Sequence, residues 1–394
     1  MPTFILFLLV YLLIAAIFRL DFFFTVAYFF FAIYLISRIW TQRSVRQMHI
    51  QRRFTDHAFC GDEITISTIL KNPSWLPAPW MQIHESLPVQ LAAPPFHHEI
   101  ISIAPYEKHR LEYTLQCRQR GYYAIGPLSL ESGDLLGLTR RITRYEASQT
   151  MIVYPRVIPL QHLGLPTRSP QVALPARTPL FEDPARIMGV REYQRGDNPR
   201  RIHWTASASA GDLLVKQYQP SIARETVIFL DLNQDTYEQR NRYVATELAI
   251  TAAASIASHI VINESLPAGL VTEAWDPIPN DMARFHLPAR SERNHLINIL
   301  EVLARVQIAT ATPFADIMRQ ESIHLPWGTT LTLITGGQSE DLLDMLAYLK
   351  QKGFAVSLVL IQPPASTEVI AARAGQINIP IHRIWQEHDL EGRL

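Results

Sequence analysis

The stretch GVREYQRGDNPRRIHWTASASAGDLLVKQY, residues 189–218, joins turn, helix and strand signals to a dense set of charged and aromatic residues. Its spacing predicts a turn, then a helix capped by Asp197 or Asn198 and ended by Gly211. Residues 213–218 are predicted to form a strand. The stretch therefore marks the start of an ordered domain.

The same stretch carries the candidate site. One interpretation is a scaffold of buried salt bridges with Tyr193 and Trp204 packed beneath them. The other is a partner-binding surface, because Arg, Tyr and Trp dominate the residues that anchor protein interfaces. Both interpretations use the same nine residues, which are Arg191, Glu192, Tyr193, Gly196, Asp197, Arg200, His203, Trp204 and Lys216.

The pattern R-E-Y-x-x-G-D-x-x-R-x-I-H-W, followed by small residues, a Gly and L-x-V-K, resembles the signature of the bacterial domain of unknown function 58 family. The segment Arg120–Leu138 and the V-Y-P at Val153–Pro155 resemble the β domain of the same family. The resemblance therefore spans nearly the whole chain. The sequence departs from the family pattern at Ser209, where an Arg is usual, and at Asp134–Gly137, where the family often has Asp-Pro-Phe-Gly.

The resemblance implies a multi-domain α and β architecture. A transmembrane helical hairpin would precede an Ig-like β-sandwich domain and a doubly wound, von Willebrand A-like α/β domain. The resemblance also implies a partnership with a MoxR-type AAA+ ATPase, because family members are commonly encoded beside one. We therefore expect a membrane-anchored cytoplasmic adaptor without enzyme activity or cofactor, acting with that ATPase in protein assembly or remodelling.

Two apolar runs open the chain, residues 2–18 and 22–36. Each is shorter than the ~20 residues that span a bilayer, but aromatic and arginine residues at the ends can extend them. A hairpin through the lipid bilayer over residues 2–36 is predicted, and a buried helical pair of a soluble protein is the alternative. Arginines follow the second run, so the positive-inside rule places both termini and the soluble domains in the cytoplasm, at the inner membrane.

Composition divides the chain into four predicted parts. Strand-like alternation at Glu63–Leu70 indicates a β domain, and seven of the 27 prolines fall between residues 155 and 184. Such proline spacing forbids helix and favours extended chain. The predicted parts are the transmembrane hairpin at 1–40, a juxtamembrane segment and β-sandwich at 41–155, a Pro-rich linker at 156–188, and the signature with its α/β domain at 189–394.

A possible metal site follows the first strand of the α/β pattern. From residue 226 short apolar runs alternate with helical patterns, which predicts a parallel sheet covered by helices on both faces. Asp231, Asn233 and Asp235 resemble the D-x-S-x-S metal motif of von Willebrand A domains, with both serines replaced. Their oxygens either hold a cation weakly or belong to a metal-free version of the site; we expect no metal.

Charge and missing motifs limit the remaining function classes. The net charge is zero, and the first 53 residues hold six arginines and one acid, which leaves 30 basic and 35 acidic residues beyond them. A mildly acidic soluble part argues against nucleic-acid binding. The sequence contains no Walker A, G-x-G-x-x-G, C-x-x-C or G-x-S-x-G motif. Cys60 and Cys117 are predicted to be reduced thiols.

Two alternatives remain open beside the adaptor. The first is an enzyme of envelope metabolism that uses Glu192, Asp197 and His203, and it predicts a cleft in which the pKa values of these groups are pushed apart. The second is a nucleic-acid module, which predicts an exposed basic face and steep salt dependence of binding. Its cations would be Arg191, Arg195, Arg200, Arg201 and Lys216.

Overall fold

The computed structural model shows a mixed α/β protein with an apolar helix near the N-terminus and a sheet-rich C-terminal region. It separates into two compact units, Met1–Arg156 with Leu300–Arg305, and Val157–Ile299 with Val306–Leu394. The structure describes residues 2–18, 21–92, 94–133, 142–160, 182–194, 201–220, 225–337, 340–363 and 379–392.

Two apolar helices open the first unit, α1 at Pro2–Phe18 and α2 at Asp21–Gln47. Large apolar side chains on both helices are exposed, among them Phe7 and Phe22. Of these two helices, α2 is long and apolar enough to cross a bilayer. The helix continues to Gln47, beyond residue 40, where the transmembrane hairpin was predicted to end. Thr41 and other side chains in its last turns are buried. An exposed apolar helix near the N-terminus is consistent with membrane association.

Ten strands form three small sheets in the first unit, with orders β1-β3-β6, β2-β10-β7 and β5-β4-β8-β9. All neighbouring pairs are antiparallel except β2 with β10. The strands are β1 His49–Arg53, β2 His57–Phe59, β3 Glu63–Lys71, β4 Ala78–Ser86, β5 Phe96–Ile103, β6 Lys108–Gln116, β7 Gly121–Ile125, β8 Leu128–Ser132, β9 Ile142–Glu146 and β10 Gln149–Tyr154.

Two of these sheets share one apolar core. Leu70 of β3 lies in the same buried cluster as Ile83 of β4 and Leu130 of β8. The end of α2 contacts β4, β8 and β9, so the helix is docked on this unit. Cys60 and Cys117 are not joined in a disulfide bond, and burial raises the pKa of Cys117 to about 11.

A buried ion pair lies inside the same unit. Arg52 Nη2 lies 2.6 Å from Glu85 Oε1, and the two side chains are only 5% and 1% exposed. The Tyr113 hydroxyl donates to Glu85 Oε2 at 2.7 Å, and Arg52 Nη1 donates to the Ile125 carbonyl at 3.2 Å. Burial, with the Glu85 carboxylate close by, raises the pKa of Tyr113 well above its ordinary value. The charges are therefore compensated by a local network.

The second unit contains a hairpin and a six-stranded sheet of order β15-β14-β13-β16-β17-β18. Every neighbouring pair in that sheet is parallel except β14 with β15. The strands are β11 Glu182–Glu192, β12 Leu214–Pro220, β13 Thr226–Asp231, β14 Ala268–Asp276, β15 Asp281–Arg290, β16 Thr330–Thr335, β17 Ala355–Ile361 and β18 Ile381–Ile384.

Among the described residues after 201 there are six α-helices, and one of them, Arg293–Arg305, ends in the segment that belongs to the first unit. Every residue of β13 and β16 is buried, which requires cover on both faces of the sheet. On one face of the sheet, Phe229 and Leu333 pack with residues of the helices Phe314–Glu321 and Glu340–Gln351. The helix Arg242–Ser258 contacts β13, β16 and β17. The helices are α3 Trp204–Ala210, α4 Arg242–Ser258 with a π-helical extension His259–Asn263, α5 Arg293–Arg305, α6 Phe314–Glu321, α7 Glu340–Gln351 and α8 His388–Gly392.

Some elements differ from the sequence prediction. β11 begins at Glu182, inside the segment 156–188 predicted as a linker, because its residues pair with β12. Residues 161–181 of that segment lie outside the described part of the chain. The antiparallel edge strand β15 was not predicted, because it contains Pro288 and alternates only weakly in hydrophobicity. The predicted parallel sheet is present beside it.

Candidate functional site

The signature folds as a hairpin joined to a short helix. β11 and β12 pair antiparallel, so that Arg191 lies opposite Val215 and Val190 lies opposite Lys216. Beyond the last paired residues, the Tyr193 N–H donates to the Leu213 carbonyl at 2.8 Å. This pairing extends the ladder one residue past Glu192 and fixes the backbone of the R-E-Y segment.

The helix α3 begins at Trp204, later than the sequence predicted. Ile202 forms a β-bridge with Val215, and this extended conformation is incompatible with a helix that runs from residue 199. His203 is the N-cap, because its Nδ1 accepts from the Ala206 N–H at 3.2 Å. The predicted helix end at Gly211 is confirmed, with φ of 81° and an N–H that donates to the Ser207 carbonyl.

Two further bonds fasten α3 to the hairpin. The His203 N–H donates to the Leu214 carbonyl at 2.8 Å. The Leu214 N–H donates in turn to Ser207 Oγ at 2.8 Å, which is possible because the small side chain lies on the helix face that meets β12. The small residues of the signature therefore allow the helix to lie close to the strand.

Trp204 differs from the scaffold interpretation, which places it beneath a set of salt bridges. Its side chain is 68% exposed, and Val190 and Leu213 on the hairpin are also exposed. We call these three exposed apolar side chains the signature surface. Burial of an exposed Trp against a partner removes a large apolar area from water, so this arrangement can contribute to protein binding.

The other candidate residues are placed only in part. The Arg191 guanidinium donates to the Glu192 carbonyl at 3.0 Å, and Glu192 itself is exposed. His203 Nδ1 is occupied by its capping bond. Gly196, Asp197 and Arg200 lie outside the described residues, so the predicted group of Glu192, Asp197 and His203 has no described geometry.

The second candidate site, at the carboxyl end of β13, is closed by its own hydrogen bonds. Both oxygens of Asp231 accept from protein donors: Oδ1 from the Asn233 N–H at 3.0 Å, and Oδ2 from the Thr335 hydroxyl at 2.7 Å. The Thr335 oxygen accepts in turn from the Gly337 N–H at 3.0 Å. The Tyr237 hydroxyl donates to the Asp231 carbonyl at 2.6 Å.

The remaining predicted oxygen donors are also not arranged around a cation. Asn233 accepts from the Asp235 N–H through Oδ1 and donates through Nδ2 to the Ala311 carbonyl at 3.0 Å. Asp235 is exposed. In the part of the chain that the structure describes, no three His, Cys, Asp or Glu side chains are grouped to hold a metal ion. Each side-chain oxygen of Asp231 already accepts a protein hydrogen bond, and the Asn233 side chain is bonded to the backbone, an arrangement that favours the metal-free interpretation.

The Asp231 carboxyl should make folding depend on pH. Burial raises its pKa to about 6, although the bonds from Thr335 and Asn233 act in the opposite direction. The folded state therefore keeps a proton that the unfolded state loses near pH 4. We expect the free energy of unfolding to fall by about 3 kcal/mol as the pH rises from 4 to 7. Urea unfolding of the full chain in detergent, followed by fluorescence at several pH values, measures this slope.

Asp231→Asn should flatten that pH profile, because the amide does not titrate. Asp235→Asn is the matched control, since it removes an exposed carboxylate four residues away and should leave the slope unchanged. Identical pH profiles for the wild-type protein and Asp231→Asn would contradict the assignment.

Comparison with known proteins supports the family resemblance. Residues 189–323 match the family described as "Protein of unknown function DUF58", a region that includes α3, the second strand of the hairpin and Asp231, but not Thr335. The uncharacterized protein YeaD of Bacillus subtilis (strain 168) is 23% identical over 295 residues, which cover 72% of this chain and 69% of YeaD. Both findings support placement in this family, whose function is unknown.

Solved structures resemble only a small part of the chain. A CARDB domain from Pyrococcus furiosus, solved in complex with di-metal ions, is 12% identical, with 27% of this chain and 86% of that chain covered and a TM-score of 0.20. The sporulation control protein Spo0M of Bacillus subtilis is also 12% identical, with 27% and 49% covered and a TM-score of 0.17. Likeness at this level says nothing about function.

Proposed function

We propose that this protein is a membrane-anchored cytoplasmic adaptor that acts with a MoxR-type AAA+ ATPase to assemble or remodel another protein. The observation that carries the proposal is the exposed Trp204 at the start of α3, a helix that hydrogen bonds fasten to β12. A rigid element that presents an apolar side chain to water is suited to binding, because little conformational entropy is lost when a partner covers it.

The anchor in this proposal is a transmembrane hairpin formed by α1 and α2. Its support is the set of exposed apolar side chains on both helices, since such surface is stable in lipid and costly in water. Arg38, Arg43 and Arg46 follow the apolar part of α2, and the positive-inside rule then places the two soluble units in the cytoplasm.

The two soluble units, in the same proposal, are an Ig-like β-sandwich and a von Willebrand A-like domain. The sandwich is supported by the core that two antiparallel sheets share. The A-like assignment is supported by the strand order. The chain adds β14 and β15 on one side of β13, and then β16, β17 and β18 on the other, and Asp231 lies at this switch point. Because both side-chain oxygens of Asp231 already accept hydrogen bonds from the protein, partner binding through a bridging metal is not part of the proposal.

Affinity capture of the detergent-solubilised full chain tests this proposal. We expect an AAA+ ATPase to co-purify with the wild-type protein and to be reduced at least about tenfold with Trp204→Ala, the loss typical of an interface anchor. Trp385→Ala is the matched control, because it removes another exposed indole from the same unit. Retention of the ATPase by Trp204→Ala would exclude the signature surface, and its absence from the wild-type capture would reject the adaptor.

A further inference from the structure

An open cleft of about 540 Å³ lies within the first unit, where α2 is followed by β1. Arg43 and Arg46 line it from the end of the helix, and His49 lines it from the start of β1. Trp75 and Tyr106 line it from two loops, with their side chains 69% and 68% exposed. None of the described residues that line the cleft is acidic. The cleft is therefore both basic and aromatic.

The loop that carries Trp75 is held by a local network. Asn72 donates through Nδ2 to the Leu76 carbonyl at 2.8 Å and to the Ala104 carbonyl at 3.1 Å. Its Oδ1 accepts from the Ser74 N–H at 3.0 Å. These bonds are buried or half-buried, so the loop keeps its shape while the indole of Trp75 points into solvent. An exposed indole on a loop that hydrogen bonds hold in place is suited to binding another molecule.

The helix and this loop are also bonded to each other. The Trp40 indole N–H donates to the Pro77 carbonyl at 2.9 Å. Ile39 is an exposed apolar residue of α2, and Arg43 lies about 6 Å further along the helix axis at 1.5 Å per residue. A headgroup layer is roughly 5–8 Å thick on each side of the hydrocarbon, so Arg43 lies at headgroup depth when the apolar part of α2 is in lipid.

We propose that this cleft binds the phosphate headgroup of an anionic phospholipid of the cytoplasmic leaflet; the inference rests on the proposed membrane anchor. Guanidinium groups form charge-assisted hydrogen bonds with phosphate oxygens, and Trp and Tyr side chains favour the interface. The volume lies within the range of small-molecule sites. Glu107, beside Tyr106, does not line the cleft, and its carboxylate accepts from the Ala104 N–H at 2.6 Å in its own turn.

Lipid binding by the full chain tests the proposal directly. The protein is purified in detergent, exposed to equimolar phosphatidylglycerol and phosphatidylcholine, and analysed by native mass spectrometry. We expect the wild-type protein to retain phosphatidylglycerol preferentially, and Arg43→Gln/Arg46→Gln to lose about tenfold or more of that preference. Arg110→Gln/Arg118→Gln removes the same charge from residues of the same unit that do not line the cleft, and it should bind as the wild-type protein does.

Further measurements distinguish a failure of the proposed membrane anchor from a failure of the proposed headgroup site. Resistance of the wild-type protein to alkaline extraction from membranes measures the anchor alone, so extraction would overturn both the anchor and the headgroup site. Integration of the protein with unchanged lipid preference in Arg43→Gln/Arg46→Gln would overturn the headgroup site alone. Millimolar glycerol 3-phosphate should leave the bound lipid in place; its displacement would assign the cleft to a soluble phosphate compound and overturn the lipid proposal.

Discussion

Replacement of Gly336 by alanine is expected to lower the free energy of unfolding of the second unit by about 3 kcal/mol. A Cβ atom at this position would overlap Cδ1 of Tyr237 and lie 2.6 Å from Cε1 of the same ring. The ring is fully buried, and its hydroxyl is bonded to the Asp231 carbonyl, so it cannot move away without losing that bond. We therefore expect the backbone at the carboxyl ends of β13 and β16 to be strained.

Gly189→Ala is the matched control for this change. A Cβ atom there meets no atom within 4 Å, so alanine should be neutral or slightly stabilising. Urea unfolding of the full chain, with hydrogen exchange of the β13 and β16 peptides, measures both variants. Equal midpoints for the two variants would show that the site relaxes around the added methyl group and would refute the expected strain.

Glu85→Ala is expected to destabilise the first unit by about 3–5 kcal/mol. The change leaves the Arg52 guanidinium buried without its anion, because only 5% of that side chain is exposed. It also removes the acceptor of the Tyr113 hydroxyl. Protease resistance of the first unit in a urea series should decrease in proportion, and so should the midpoint of its unfolding transition.

The exposed pair Arg110–Glu112 provides the comparison in the same unit. Its side chains are 65% and 47% exposed, so Glu112→Ala should cost no more than about 1 kcal/mol. If the two variants lose similar stability, the buried pair is not the stabilising element that its burial suggests.

The fold was predictable where hydrophobic runs dominate. The strands Thr226–Asp231, Ala355–Ile361 and Ile381–Ile384 belong to the parallel sheet that the apolar runs from residue 226 predict, because buried parallel strands are continuous apolar runs between turns. The edge strand β15 and the helix α6 were missed. The strand contains Pro288 and alternates only weakly, and the helix has only eight residues, so periodicity alone indicates neither element.

The candidate site was predictable only in its outline. The spacing of the signature indicated a helix and a following strand, yet it did not identify His203 as the cap, because Ser, Thr, Asp and Asn are the usual capping residues. The sequence left open whether Trp204 is buried in a scaffold or exposed on a partner-binding surface, since an aromatic residue beside polar ones gives no sign of which faces water. The contact of Tyr237 with Gly336 joins distant parts of the chain, and no local pattern predicts it.

The continuity of α2 has a mechanical consequence. The helix has 27 residues, about 40 Å of unbroken rod, and its last turns are fixed to the first β unit. With α2 inserted in the bilayer as proposed, the first unit cannot reorient independently of this helix. Any change in helix tilt, such as the one that a thicker or thinner bilayer imposes, rotates the whole β unit by the same angle. Membrane thickness would then set the direction in which this part of the protein faces the cytoplasm.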